Sequence, residues 1–188
     1  MDALKRITGG IFDFLQSIVV VLAVLVMVYL FIMSPQEISG ASMEPNFHNG
    51  EYILTNKIAY RLELPKRGDV IIFKSPKNKE IDYIKRIIGL PGDKVRLVNS
   101  KFYVNDLIID ESSYLPPALF TFGGSFLREN QDITVPVGHY FVAGDNRPHS
   151  SDSREFGPIS LEDFIGKAFF RYFPFNRTGL ITRPNLGV

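Results

Sequence analysis

Cysteine is absent from all 188 residues, which excludes disulfides, thiolate metal sites and a lipid-bearing cysteine. Zero cysteine suits either redox compartment and fixes neither. Charge of one sign is not in excess either: 21 Lys and Arg stand against 20 Asp and Glu, so the chain lacks the basic field that nucleic-acid binding requires. Histidine is scarce, with three residues. No metal-ligand spacing, P-loop or dinucleotide glycine pattern occurs, and the sequence therefore implies neither metal nor cofactor. Repeats and low-complexity segments are missing as well, and the length allows one compact domain with a short appendage.

What the chain does have is a long apolar run. From Ile18 to Met33 sixteen residues carry no charge or amide, and extension back to Phe14 gives twenty. Twenty helical residues span about 30 Å, the thickness of a hydrocarbon core. Apolar residues occupy every face of the segment, unlike the single stripe of an amphipathic helix. Lys5 and Arg6 precede it, Glu37 and Glu44 follow it, and the next cation is Lys57. The positive-inside rule then predicts residues 1–13 as a short cytoplasmic N-terminus, 14–33 as a single plasma-membrane span, and 34–188 as an extracytoplasmic domain, with Asp13 offsetting part of that signal. The competing reading is a cleavable leader, with the small residues Ser39-Gly40-Ala41 at its cut. That site lies eight residues past Met33, and the apolar core exceeds the roughly 7–15 residues of a leader. A retained anchor is favoured.

Beyond the anchor, short runs of β-branched and aromatic residues alternate with polar ones. Strands are predicted over Glu51–Lys57, Asp69–Lys74, Asp82–Ile88, Lys94–Asn99, Lys101–Val104, Asp132–Val135, His139–Ala143 and Gly166–Phe173. Gly, Pro and Asn turns separate them, and only Leu161–Phe164 reads as a helical turn. The pattern predicts a mainly β domain with a coiled or barrel-like sheet. Asp110–Asn130 reads as an irregular excursion whose Leu119, Phe120, Phe122 and Phe126 form a small satellite core rather than a lip touching membrane or substrate.

Three places could carry chemistry. Ser42 follows Gly40 and Ala41, small residues that let a substrate backbone approach its hydroxyl, and Pro45 stiffens the exit. Its context is not the G-x-S-x-G elbow, because Glu44 stands at the last glycine. His48, His139 and His149 sit in turn or strand-start settings that suit surface roles. A lysine can replace histidine as base if burial lowers its pKa from about 10.4. Lys85 has the right setting, since on a strand it shares a face with Tyr83 and Ile87, while Ile84, Arg86 and Ile88 share the other. The pattern alone also allows a lysine that snorkels from an edge strand. The polar run Gly144–Arg154 is either an ordinary turn or a hydrogen-bonded wall of an active site.

In order, these segments resemble the type I signal peptidases over about residues 12–175. The resemblance rests on the apolar span, Gly40–Phe47, Arg67–Phe73, Tyr83–Asp93 and Gly144–Arg154, and the last two are the most specific. It implies a β-rich fold shared with the self-cleaving repressors of the DNA-damage response. It also implies a membrane-bound serine endopeptidase that removes signal peptides after small residues at −1 and −3, with preproteins, the lipid bilayer and the nearby export translocon as partners. By resemblance Ser42 is the nucleophile, Lys85 the general base, and Ser150 the hydroxyl that orients the lysine. Asp145, Arg86, Asp152 and Arg154 brace the site, and Ile38, Met43, Tyr83 and Ile84 wall the substrate pockets. Some members carry an oxyanion-hole serine where this chain has Gly40, leaving the Ser42 backbone N–H as the protein donor. Pro148-His149 replaces the commoner Asp-Asn, and the insertion at about 106–137 is short for the family. Two rivals remain at this level: a self-cleaving Ser–Lys protein, and a non-catalytic anchored binding protein on the same fold.

Overall fold

The computed structural model describes residues 2–188, with side chains described from Gly9 onward; the Lys5 and Arg6 side chains on which the orientation argument rests lie outside that description. Helix α1 spans Asp2–Phe31, and its Gly9–Phe31 stretch is 23 residues long and apolar enough to cross a membrane. That apolar stretch begins before Phe14, because Ile11 and Phe12 extend the apolar surface past Asp13. It ends before Met33, which is the first residue of strand β1, Met33–Glu37. The turn there is fixed by the Lys57 N–H, which donates to the Ile32 carbonyl at 2.8 Å. Strand pairing overrides apolar continuity at this point.

The remaining elements are β2 (Tyr52–Asn56), α2 (Ala59–Leu62), β3 (Val70–Lys74), β4 (Asp82–Gly89), β5 (Lys94–Val98), β6 (Lys101–Val104), β7 (Leu107–Ile108), β8 (Asp132–Thr134), β9 (His139–Ala143), α3 (Ser153–Phe156), β10 (Ile159–Ser160), β11 (Phe164–Phe173) and β12 (Gly179–Leu180). Short 3₁₀ turns occupy Arg147–His149, Leu161–Asp163 and Phe175–Arg177. An eight-stranded sheet runs β1-β2-β11-β3-β4-β9-β10, with β12 added on β11, and a four-stranded sheet runs β7-β6-β5-β8. All the strand pairings are antiparallel. The architecture is mainly β, but neither sheet closes on itself, so the barrel-like expectation is corrected to two open sheets.

Alternation along β3 and β4 explains how one sheet serves several cores. Val70 and Ile72 face one cluster with Ile38, Met43, Phe47 and Ile53, while Ile71 and Phe73 face another with Ile87, Val142 and Tyr140. Further along β4, Ile88 joins the third cluster, built on Val95, Leu97, Phe102 and Phe141, which glues the small sheet to the large one. Each fully buried aliphatic or aromatic side chain there contributes about 1.5–3 kcal/mol.

The 110–130 excursion has no regular element. Its aromatics do not form a satellite core. Phe120, Phe122 and Phe126 are 63%, 61% and 41% exposed, while Leu115, Thr121 and Leu127 are buried. The cause is the backbone register: Thr121 turns inward to accept a hydrogen bond from Arg147, and the Phe122 carbonyl accepts one from Arg154. The flanking rings are thereby turned outward.

Candidate active site

Lys85 lies mid-strand in β4, paired across from Ile71, and is 3% exposed. Its Nζ is hydrogen-bonded to Ser42 Oγ at 2.7 Å, donates to the Ile84 carbonyl at 2.8 Å, and sits 5.3 Å from the centre of the Tyr83 ring. Burial pulls its pKa down from 10.5 to about 8, with Asp152 and Asp145 opposing part of that shift. About one molecule in ten would then hold a neutral amine at pH 7. A neutral lysine touching a serine hydroxyl is a nucleophile–base pair.

Ser42 is held from two sides. Gly40 has φ +93°, a left-handed conformation that glycine adopts without a Cβ clash, and its N–H donates to Asn49 Oδ1 at 2.8 Å. The Ala41 carbonyl accepts from Asn146 Nδ2 at 2.9 Å and the Ser42 carbonyl from the Asn146 N–H at 3.0 Å. Both carbonyls are thus engaged, whereas the Ser42 N–H meets no acceptor among the described residues. Gly144 leaves room for this packing, since a Cβ there would run into the Ser42 carbonyl and the Ser150 hydroxyl.

The bracing residues form two separate buried ion pairs. Arg86 grips Asp145 with Nε–Oδ1 at 2.9 Å and Nη2–Oδ2 at 2.7 Å, and Asn46 adds a bond to Asp145 Oδ2 at 2.8 Å. Arg154 grips Asp152 at 2.8 and 2.7 Å, and Asp152 also accepts the Gly144 N–H at 2.9 Å. Burial alone would raise the Asp152 pKa, but the Arg154 hydrogen bonds and charge, the Gly144 N–H and the nearby Ser150 hydroxyl outweigh it and hold the pKa below its ordinary value.

Ser150 does not orient the lysine in this structure. Its buried Oγ makes no well-directed hydrogen bond and lies by Gly144 and the Asp152 carboxylate, while Lys85 bonds Ser42 and Ile84 instead. Met43 also departs from its expected place: at 1% exposure it lies in the core, its sulfur accepting the Asp145 N–H at 3.4 Å. The serine loop turns back into the sheet at Met43, so this side chain supports the cleft from beneath.

The cleft beside the dyad has a volume of about 240 Å³. Ile38, Tyr83 and Ile84 line it, joined by Ile53, Ile72, Ser39 and Ser151, with polar groups from Gln36, Glu37 and Asp82. A larger groove, about 490 Å³ beside Arg67 and Arg183, does not include the dyad. None of the three histidines bonds Ser42, and among the described residues no acidic or histidine cluster could hold a metal ion.

Sequence reasoning missed several supports. Arg147 is fully buried against Glu111 and Thr121. Glu51 is buried between Arg171 and Arg177, whose guanidinium groups also donate to the Asn46 carbonyl at 2.9 and 3.1 Å. Asn46 and Asn49 gave no signal, because isolated asparagines in a turn look like ordinary turn residues. Asn146 could have been found, since it sits inside the Gly144–Arg154 box.

A family model described as "Signal peptidase, peptidase S26" matches residues 11–173. Signal peptidase IB of Staphylococcus aureus (strain COL) is 37% identical over 177 residues, covering 88% of this chain and 91% of that protein. A probable signal peptidase I-2 of a Synechocystis species is 37% identical over 157 residues, covering 81% and 68%. A crystal structure of a signal peptidase I from Enterococcus faecalis aligns with 33% identity and a TM-score of 0.44, covering 56% of this chain and 97% of the other.

Proposed function

The chain belongs to the signal peptidase family, peptidase S26, and we propose that within it Ser42 and Lys85 carry out the hydrolysis. The activity is that of a signal peptidase I, a serine peptidase acting on preproteins that bear signal peptides. The observation that carries the residue assignment is the 2.7 Å contact between Lys85 Nζ and Ser42 Oγ, made by a lysine whose pKa burial has lowered to about 8.

The neutral amine of Lys85 takes the Ser42 proton as Oγ attacks the scissile carbonyl carbon, and the carbonyl electron pair moves onto oxygen. The Ser42 N–H, which has no acceptor of its own, is available to that oxyanion. Gly40 cannot offer its N–H, because Asn49 holds it. When the C–N bond breaks, the Lys85 ammonium returns the proton to the leaving amine, leaving an acyl ester on Ser42. Water then attacks the ester, Lys85 accepts its proton, and the signal-peptide carboxylate departs as Ser42 Oγ is reprotonated. The cleft holds about 240 Å³ between Ile38, Tyr83 and Ile84, and this limited volume suits small side chains at −1 and −3 of the cut.

In the same reading residues 14–33 cross the plasma membrane once, with residues 1–13 in the cytoplasm and residues 34–188 outside, beside the export translocon. Met33 lies nine residues before Ser42, a reach of at most ~32 Å, so the nucleophile stays near the bilayer face. The test is incubation with a preprotein in detergent and sequencing of the new N-terminus. Ser42→Ala and Lys85→Ala should each lose processing while the fold is retained, and the alanine variants of His48, His139 and His149 should keep it. A dead histidine variant beside a working Lys85→Ala would refute the dyad.

A further inference from the structure

The anchoring helix ends against one side chain of the β domain. The Lys57 ammonium donates to the Tyr29 and Leu30 carbonyls at 3.2 Å each and lies 5.6 Å from the centre of the Tyr29 ring. The last carbonyls of a helix have no intrahelical donor, so Lys57 caps them and ties the segment after β2 to the foot of the helix. In that segment α2 turns Tyr60 inward onto Phe164, with ring centroids 5.6 Å apart, and Pro65 is buried. Leu62 and Leu64 are left projecting, 77% and 76% exposed.

Their charged surroundings are one-sided. Residues 57–67 hold Lys57, Arg61, Lys66 and Arg67 against Glu63 alone. Glu63 is taken by Lys66 and Arg67 is paired with Asp93, whereas Arg61 has no acidic partner among the described residues. The Lys57 N–H reaches the Ile32 carbonyl at the foot of the helix, and Leu62 is five residues further on, within a chain reach of at most about 18 Å. Exposed leucines beside Arg61, which has no acidic partner among the described residues, and Lys57, whose ammonium donates only to carbonyls, suit the boundary between headgroups and acyl chains of an anionic bilayer.

We infer that residues 57–64 form a second membrane contact, in which Leu62 and Leu64 enter the leaflet beside the helix exit and Lys57 and Arg61 engage anionic headgroups. This rests on the reading of α1 as membrane-spanning. Two contacts would fix the tilt of the domain, and with it the height of the Ser42 cleft above the bilayer, where a single flexible tether would not.

The absence of cysteine makes a direct test available. Full-length Leu22→Cys, Leu62→Cys, Leu64→Cys and Lys101→Cys, each carrying a nitroxide, are placed in vesicles of phosphatidylglycerol and phosphatidylcholine. Accessibility is read with oxygen, which partitions into lipid, and with a water-soluble nickel chelate. Positions 22, 62 and 64 should favour oxygen, and position 101, in the exposed β5–β6 hairpin, should favour nickel. Pure phosphatidylcholine, or Arg61→Glu, should raise nickel access at 62 and 64 severalfold. Nickel access at 62 and 64 equal to that at 101, with 22 still in lipid, overturns the contact while leaving the anchor standing. Nickel access at 22 as well overturns both. Lipid burial of 62 and 64 unchanged in phosphatidylcholine overturns the headgroup half.

Discussion

The Asn146 N–H donates to the Ser42 carbonyl at 3.0 Å, so the nucleophile is held by the same loop that supplies Asp145, Ser150 and Asp152. Ser42 lies in a connection between β1 and β2, and loops of that kind usually move more than the strands they join. Here the loop is clamped by Asn146 on one side and by Arg171 and Arg177 on the other. Its partner Lys85 needs no such clamp, because β4 is paired on both edges further along.

Gly144→Ala should be severe. The added methyl would occupy the space of the Ser42 carbonyl and the Ser150 hydroxyl. Relief requires moving one of them, and a displacement near 1 Å at a reacting centre costs on the order of 100-fold in rate. Processing assays should show kcat/KM reduced about that much, with a far-UV circular dichroism spectrum like the parent's. Activity within a few-fold of the parent would mean the loop absorbs the methyl.

Asp145→Ala should act on stability. It leaves the Arg86 guanidinium buried at 4% side-chain exposure without its carboxylate, and strands Asn46 as well. Breaking a buried pair on one side costs about 3–5 kcal/mol. Urea titration should show a lower midpoint at unchanged slope. The double variant Arg86→Met with Asp145→Leu should recover much of the loss, because it leaves no orphaned charge.

Much of this site was legible in advance, for physical reasons that differ by residue. Lys85 could be singled out because alternation on a strand puts it between Tyr83 and Ile87, but the pattern equally fits a lysine that snorkels to water, and only the resemblance chose between them. Asp145, Arg86, Asp152 and Arg154 could be named, but not paired, since pairing depends on how β4, β9 and the following loop meet. Strand cores were located well, whereas β7, β10 and β12, each two residues long, fall below what periodicity can register. The exposed Phe120 and Phe122 were misread because the carbonyl and hydroxyl partners that fix their register, Arg154 and Arg147, are distant in sequence. Met43 was misread because a turn back into the core hides a residue that spacing places beside the nucleophile.

Ser150→Ala separates orientation from stability. The hydroxyl is buried beside the Asp152 carboxylate without a well-directed hydrogen bond, so its removal takes away at most one weak polar contact. Thermal unfolding should stay within about 0.5 kcal/mol of the parent or rise slightly. If substrate drives a rotamer change that brings Oγ to Lys85, kcat should fall while KM holds. A variant equal to the parent in both kcat and stability would show that Ser150 is packing alone.

Lys85 links pH, activity and stability. Its folded pKa of about 8 lies below the ordinary 10.5, with burial as the leading cause. Activity, as kcat/KM, should therefore rise with pH along an acid limb centred near 8. Lys85→Arg should be inactive although it keeps the charge, because a guanidinium does not deprotonate in this range. The stability sign follows from which state holds the proton. Below pH 8 both states are protonated, and the folded domain bears the full cost of a buried ammonium. Between about 8 and 10.5 the unfolded chain still binds a proton that the folded domain has released, so this group makes stability climb with pH. The difference of 10.5 − 8 = 2.5 units corresponds to about 3 kcal/mol. Lys85→Met, which keeps the length without the charge, should then be more stable than the parent at pH 7 by up to that amount. Some of the gain is lost with the bonds to Ser42 and Ile84. The advantage should shrink steadily from pH 8 to 10.5 when both proteins are unfolded in urea at each pH. A parent more stable than Lys85→Met at pH 7, with a flat activity profile from pH 6 upward, would make Lys85 a structural cation rather than a base.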